Sequence, residues 1–454
     1  MRYVSTRGAA PALGFDDVLL RGLAEDGGLY VPERWPHVGT PDGSGGYAAA
    51  VAEVIAPYLE GSVLESTIGD LAAETYGAFR HVDVAPIESL SDRRAVLELF
   101  WGPTLSFKDY ALQLVGRLFD GVLSARGQRI TVLGATSGDT GSAAIEACRD
   151  RQSIDIVILY PEGRVSEVQR RQMTTVASAN VHAVAVAGTF DDCQDLVKAA
   201  FSDEQVRSSL RLAAVNSINW ARVMAQTAYF YWAASQMGPG LAVSVPTGNF
   251  GNVLAAMVAK RTGAQLGEIV IGNNENHGLA TLLATGRMPL GEVVPTLAPA
   301  MDIQVPSNLE RHLFEILDRD GALIASTMTD MRRLGELTLD EGGAARLAAG
   351  LRGAWTDDAG IDEAIASVHS DHGYLIDPHT ATAFQAADRL LGERPALVVA
   401  TAHPAKFPDP VRKATGVDPQ LPEHLADLLS RPERIESVPA DLPAVVDLVR
   451  RLTR

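Results

Sequence analysis

From Ala95 onward the chain alternates short apolar runs, rich in β-branched residues, with helix-like segments: AVLELF, ALQLVGRLF, RITVLGA, TGSAAIEAC and IDIVILY follow one another. Parallel strands need a crossover, and a helix supplies it, so this alternation predicts βαβ units and a mostly parallel sheet. The pattern continues through VHAVAVAG, DDCQDLVKAAF, ARVMAQTAYFYWAA, LAVSVPTGN and GNVLAAMVAKRTG, and it returns in ALVVATAHPA. Between about residues 305 and 375 the chain turns helical and charged, as in NLERHLFEILDRD and AARLAAGLRGAW, without buried-strand runs. That stretch reads as a helical insertion. Residues 1–95 carry short helical patterns broken by turn-formers, as in AEDGGLYVPERWP and TPDGSGGY, and read as a separate N-terminal unit. The expected organisation is therefore α/β, with units at 1–95, 96–240 and 241–454 and the insertion inside the last.

At 454 residues the chain exceeds the size at which one core stops growing, which agrees with more than one domain. A net charge of -17 argues against non-specific affinity for nucleic acid or an anionic membrane. It leaves room for a small anionic ligand, which a few cations and backbone N–H groups suffice to bind. The 2 cysteines, Cys148 and Cys193, lack metal-ligand spacing and are too few for a disulfide framework, which points to a reducing, cytoplasmic compartment. The N-terminal stretch, with Asp16 and Asp17, lacks the apolar core of a signal peptide, and no run of about 18 apolar residues predicts a membrane span.

Two loops lie between a predicted strand and a predicted helix. In RITVLGATSGDTGSAAIEA, small residues from Gly134 to Ser142 precede a helix and would let backbone N–H groups approach an anion. Asp139 stands where a nucleotide P-loop needs its lysine, so ATP binding is not expected. In LAVSVPTGNFGNVLAAMVAK, Gly248 and Gly251 flank Asn249 and Phe250, and Asn252 begins an apolar helix, a good cradle for a small phosphate. Each could also be an ordinary strand-to-helix turn. A third segment, GPTLSFKDYALQ, sets Lys108 among apolar groups. Desolvation would lower its pKa and leave a nucleophilic amine able to form a Schiff base. The plainer alternative is that Lys108 and Asp109 merely open an amphipathic helix.

These stretches, with DGGLYVP, YPEGRVSEVQRRQM, GTFDDCQDLVK, NSINWARV, PAMDIQVPSNLER, DPHTA and TAHPAKFP in the same order along nearly the whole chain, make the sequence resemble the threonine synthase family. The resemblance implies a pyridoxal-phosphate (PLP) enzyme of fold type II, with two α/β domains of mostly parallel sheet, the N-terminal mixed unit and the helical insertion. It implies that Lys108 holds PLP through a Schiff base and that Gly248, Asn249, Phe250, Gly251 and Asn252 take the cofactor phosphate. Asp139 is implied to lie beside the cofactor's 3′ oxygen, sharing a proton with it, and Thr401 to face the pyridine nitrogen. Thr136, Ser137 and Thr140 are implied to receive the substrate carboxylate. Asn216, Ser217 and Arg222 are implied to bind the substrate phosphate, with His403 and Lys406 as additional contacts. Without the resemblance, Arg222 would read as an arginine on a polar helix face. The implied reaction is γ-elimination and β-replacement on O-phospho-L-homoserine, by a monomer or homodimer. Rival readings are a PLP-dependent dehydratase, a phospho-amino-acid phospholyase, or a PLP-binding homologue without catalysis. Asp109 is expected to point away from Lys108, because a close carboxylate would raise a pKa that catalysis needs lowered.

Overall fold

The computed structural model describes residues 1–214 and 217–453. Two sheets dominate it. One has five strands in the order Glu436–Pro439, Val181–Ala187, Ile154–Pro161, Ile130–Ala135 and Leu212–Ala213, all parallel. The other has six, in the order Leu351–Trp355, Leu266–Asn273, Leu241–Pro246, Ala396–Ala400, Arg94–Glu98 and Ile87–Ser89, parallel except at the last pair. Their central strands are buried on both faces, as helix-covered parallel sheets require, and this is why they read as unbroken apolar runs.

Chain order and sheet membership differ in three places from the contiguous units expected. Arg94–Glu98, at the edge of the 96–240 unit, pairs with Ala396–Ala400 in the second sheet. Near the C-terminus the chain returns to the first sheet: Glu436–Pro439 adds to its edge, and the helix Leu442–Leu452 buries Val445 and Val449 in one cluster with Val184, Val186 and Leu196. The insertion between 305 and 375 is not wholly helical, since Leu351–Trp355 is an edge strand of the six-stranded sheet. Its sequence, LRGAW, is short and only partly buried, so it lacks the apolar run that marks a central strand.

The N-terminal unit holds a small antiparallel sheet, Leu13–Gly14, Arg2–Ser5 and Tyr30–Pro32, and it shares the main core. Tyr47 and Tyr76 form an edge-to-face pair with ring centroids 4.9 Å apart, and Tyr47 also meets Trp232 at 5.8 Å. The Tyr76 hydroxyl donates to the Tyr110 carbonyl at 2.7 Å. Through these contacts the unit grips two helices, Lys108–Arg126 and Trp220–Met237, both of which carry candidate site residues. Among the described residues no helix is long and apolar enough to cross a membrane.

The Lys108–Arg126 helix packs against the helix Asp139–Cys148 so closely that a Cβ on Gly116 would lie 2.3 Å from the Ala147 carbonyl oxygen. On an open helix face, glycine to alanine gains about 1 kcal/mol. Here the added methyl meets backbone, so Gly116→Ala is expected to destabilise by about 1–2 kcal/mol net. A lower urea midpoint is the expected readout. A raised midpoint would contradict this packing.

Candidate active site

The reactive loops sit at the carboxyl ends of the parallel strands, where ligands bind in open α/β sheets. Ile130–Ala135 runs into the SGDTG loop, Leu241–Pro246 into the GNFGN loop, and Ala396–Ala400 into Thr401. The segment before Lys108 is pinned beside Thr401: the Phe107 N–H donates to the Thr401 carbonyl at 2.9 Å, and Ser106 bridges Ala402. Leu105 and Phe250 both adopt a φ of 63°, left-handed backbone that costs a bulky residue about 1–3 kcal/mol each. One strained residue thus precedes the lysine and another caps the helix Gly251–Thr262.

Lys108 is the first residue of its helix and is almost fully buried, its amine 3.2 Å from Asp139 Oδ2 and 4.8 Å from the Phe107 ring centroid. Burial lowers its pKa, against the pull of Asp139, and the cations of Lys406 and Arg222 add to the lowering. Asp139 opens its own helix. Burial pushes its carboxyl up, but Lys406, Lys108 and the Gln169 amide outweigh this and hold it well below the usual carboxylate range. Gln169 Nε2 donates to Asp139 Oδ1 at 2.8 Å. Gly138 is what admits that amide, since a Cβ there would lie 2.4 Å from the Gln169 amide carbon, and the backbone holds a φ of 149°.

Asp109 turns away from the amine. Its carboxylate accepts from the Thr104 N–H at 2.8 Å and the Thr104 hydroxyl at 2.9 Å. Burial pushes its pKa up to about 6, although the Thr104 donors and Lys406 work against this.

The residues of the SGDTG loop divide. The Thr136 hydroxyl is taken up in shaping the loop, accepting from the N–H groups of Gly138 and Gly141 at 3.0 and 2.9 Å. Ser137 is exposed and Thr140 half-buried, both at the start of the Asp139–Cys148 helix. In the GNFGN loop, a Cβ on Gly248 would lie 3.0 Å from the Met301 backbone, so any side chain there would press against it. Asn252 is buried, its Oδ1 accepting from the Tyr229 hydroxyl at 2.7 Å, while its Nδ2 has no partner. An orphaned amide donor at the N-terminus of a 12-residue helix is a ready anion site.

Arg222 is buried on the Trp220–Met237 helix, not set on a polar face. It forms no ion pair among the described residues, and its buried Nη1 has no hydrogen-bond partner. Burial pushes its pKa down to about 10. Gln226 and Tyr229 lie one and two turns on, on the same face, and both reach toward the GNFGN loop. Ser217 is half-buried at the start of this segment, and Asn216 lies outside the described residues.

Three supporting residues had no role in the sequence reading. Asn308 donates to the carbonyls of Ser217 and Asn249 at 2.9 and 3.3 Å, and Arg311 donates to those of Tyr30 and Ile218, joining the N-terminal unit to both loops. Asp377 accepts from the Thr380 hydroxyl and from His379 Nδ1. Thr380 in turn accepts from the Thr401 N–H at 3.2 Å. The motifs PSNLER and DPHTA carry these residues, but their partners lie far away in sequence. The Thr401 hydroxyl has no protein partner among the described residues.

His403 and Lys406, to which the resemblance gives only possible further phosphate contacts, are engaged by other groups of the protein. Lys406 is wholly buried, with its amine 2.9 Å from Asp139 Oδ1 and donating to the Thr104 carbonyl at 2.6 Å. His403 caps the turn Pro404–Lys406, its Nδ1 accepting from the Ala405 N–H at 3.2 Å. Burial, with Lys406 and His424 and against Asp377, pushes its pKa down to about 4. Below about pH 6.5 the unfolded chain takes up a proton that folded His403 refuses, so stability falls as pH drops through the window from about 6.5 to about 4. The total is at most about 3 kcal/mol. Asparagine can keep the cap, so His403→Asn is expected to flatten this acid slope in urea unfolding at pH 7 and 5. Identical slopes would contradict the assignment.

Comparison with known proteins agrees across the chain. Residues 2–76 match "Threonine synthase N terminus", 95–355 "Pyridoxal-phosphate dependent enzyme" and 380–449 "Threonine synthase, C-terminal". Threonine synthase from Pseudomonas aeruginosa is 46% identical, over 98% of this chain and 97% of its own. The structure of PLP-bound threonine synthase from Brucella melitensis superposes with a TM-score of 0.97 at 44% identity, covering 100% of both chains. That of yeast threonine synthase gives 0.92 at 33% identity, covering 99% of this chain and 97% of its own.

Proposed function

Because this chain belongs to the threonine synthase family of PLP-dependent enzymes, we propose that its substrate is O-phospho-L-homoserine, converted with water to L-threonine and phosphate. The observation that carries the substrate reading is Arg222. A buried guanidinium without a carboxylate is costly unless an anion arrives, and a phosphate dianion fits its paired donors. The residues fit the cofactor as well: Lys108 offers a buried amine, Gly248 to Asn252 a cradle with an orphaned donor, and Thr401 a neutral hydroxyl. When bound, PLP supplies an electron sink that acidifies Cα and then Cβ, so that a leaving group on Cγ can depart.

The chain's own groups do the rest. Lys108, with its pKa lowered, holds and moves the proton at Cα, and Asp109 does not hinder it because its carboxylate is turned to Thr104. Ser137 and Thr140, at the start of the Asp139–Cys148 helix, receive the substrate carboxylate, assisted by the helix N-terminus. Arg222, with Asn216 and Ser217, grips the phosphate and orients the Cγ–O bond, while the buried setting excludes early water. The protein works in the cytoplasm, a reading supported by its two buried free thiols, and is read as a monomer or homodimer.

Phosphate release from O-phospho-L-homoserine and phosphoserine, together with deamination of serine and threonine, tests this against the rivals. Rapid release from phosphohomoserine alone is expected. Turnover of serine without phosphohomoserine would replace this reading with a dehydratase, and no turnover by the PLP-loaded protein would favour a binding homologue.

A further inference from the structure

Asp139 is the carboxylate in contact with Lys108, and it also holds a second ammonium. Lys406 Nζ lies 2.9 Å from Oδ1, while Lys108 Nζ lies 3.2 Å from Oδ2. Lys406 is the more buried of the two lysines and is fixed from both sides, by the Thr104 carbonyl and by the turn that His403 caps. Burying a second ammonium beside the first is costly, and the Schiff base needs only one amine.

We infer that Lys406 is a positioning residue for the cofactor lysine: by claiming one oxygen of Asp139 it leaves Lys108 a shared, partly neutralised anion, and so favours the amine form that bonds to PLP. The inference rests on the assignment of Lys108 to the cofactor and is independent of which substrate is turned over. A carboxylate paired with Lys108 alone would stabilise its ammonium, whereas a second cation on the same carboxylate opposes it. The charged groups facing this cluster act in the same sense or on its far side. Arg222, from the Trp220–Met237 helix, adds a like charge toward Lys108. Asp109, from Lys108's own helix, acts on Lys406, and His403, in the turn, is held neutral near pH 7. Lys406 also removes the need for Asp139 to share a proton with a cofactor oxygen, since it supplies the counter-charge itself.

The test is PLP capture by the apoenzyme across pH, read as borohydride-fixed adduct on Lys108, with no substrate present. In Lys406→Met the midpoint should move to higher pH by about one unit, which slows capture about tenfold at a fixed lower pH. Lys406→Arg, which keeps the cation, should retain the parent profile. Asp139→Asn, which removes the anion and leaves Lys406, should move the midpoint to lower pH, and Lys406→Gln, which keeps a donor for the Thr104 carbonyl without the charge, should shift it to higher pH as the methionine variant does and decides the matter should Lys406→Met fail to fold. An unshifted or acid-shifted profile in Lys406→Met, an arginine variant shifted as far as the methionine one, or an alkaline or unchanged midpoint in Asp139→Asn would overturn the inference. Failure of the substrate reading would alter none of these measurements.

Discussion

Lys108→Ala is expected to abolish the yellow, borohydride-sensitive colour of the PLP-loaded protein and to lower turnover by roughly 10⁴-fold or more, since on the proposed assignment it removes both the covalent anchor and the base at Cα. The fold should survive. Asp139 keeps Lys406 and Gln169 as partners, so no uncompensated buried carboxylate is left behind. Removing a desolvated amine should leave the urea midpoint of the apoenzyme unchanged or slightly raised. Retained colour after dialysis in this variant would move the cofactor anchor to another residue. A collapse of stability would instead mean that Lys108 holds the structure together, contrary to its lowered pKa and its single carboxylate contact.

On the proposed assignment, Arg222→Met should separate substrate binding from cofactor binding. A buried charge–phosphate contact is worth about 2–5 kcal/mol, so kcat/KM for the phosphorylated substrate should fall between about 30-fold and several thousand-fold. The colour of the bound cofactor should persist, because the cradle and Lys108 are untouched. Stability should move the other way: an unpaired buried guanidinium is replaced by an apolar chain of similar length, and the apoenzyme should become more resistant to urea. In the PLP-loaded protein, whose phosphate cradle is already filled, inorganic phosphate should raise the urea midpoint of the parent and leave that of the variant unmoved. Equal kcat/KM in parent and variant would remove Arg222 from the substrate site.

Much of this architecture could be read in advance because parallel strands covered on both faces tolerate few polar positions, and Ile154–Pro161 and Leu241–Pro246 are buried throughout. The two glycine-bearing loops were legible for a related reason, as small residues between a strand and a helix mark a place where backbone must approach something closely. What escaped depends on partners distant along the chain. The contact of Lys406 with Thr104 spans 302 residues, and no local pattern announces it. Glu436–Pro439 joins a sheet whose other strands ended more than 200 residues earlier, and only its partner Val181–Ala187 defines it as a strand. Arg222 was readable in principle. The helix WARVMAQTAYFYWAASQM has almost no polar face, so an arginine in its first turn had nowhere exposed to go.

The most direct test of the proposed reaction is the fate of solvent oxygen when the protein acts on O-phospho-L-homoserine in ¹⁸O-labelled water, with phosphate and threonine analysed together by mass spectrometry. Equal amounts of the two products are expected, with one ¹⁸O in the hydroxyl of each threonine and none in the phosphate, because the Cγ–O bond breaks and water adds at Cβ. Label in the phosphate, with homoserine in place of threonine, would mean that water attacks phosphorus, and would contradict that reaction.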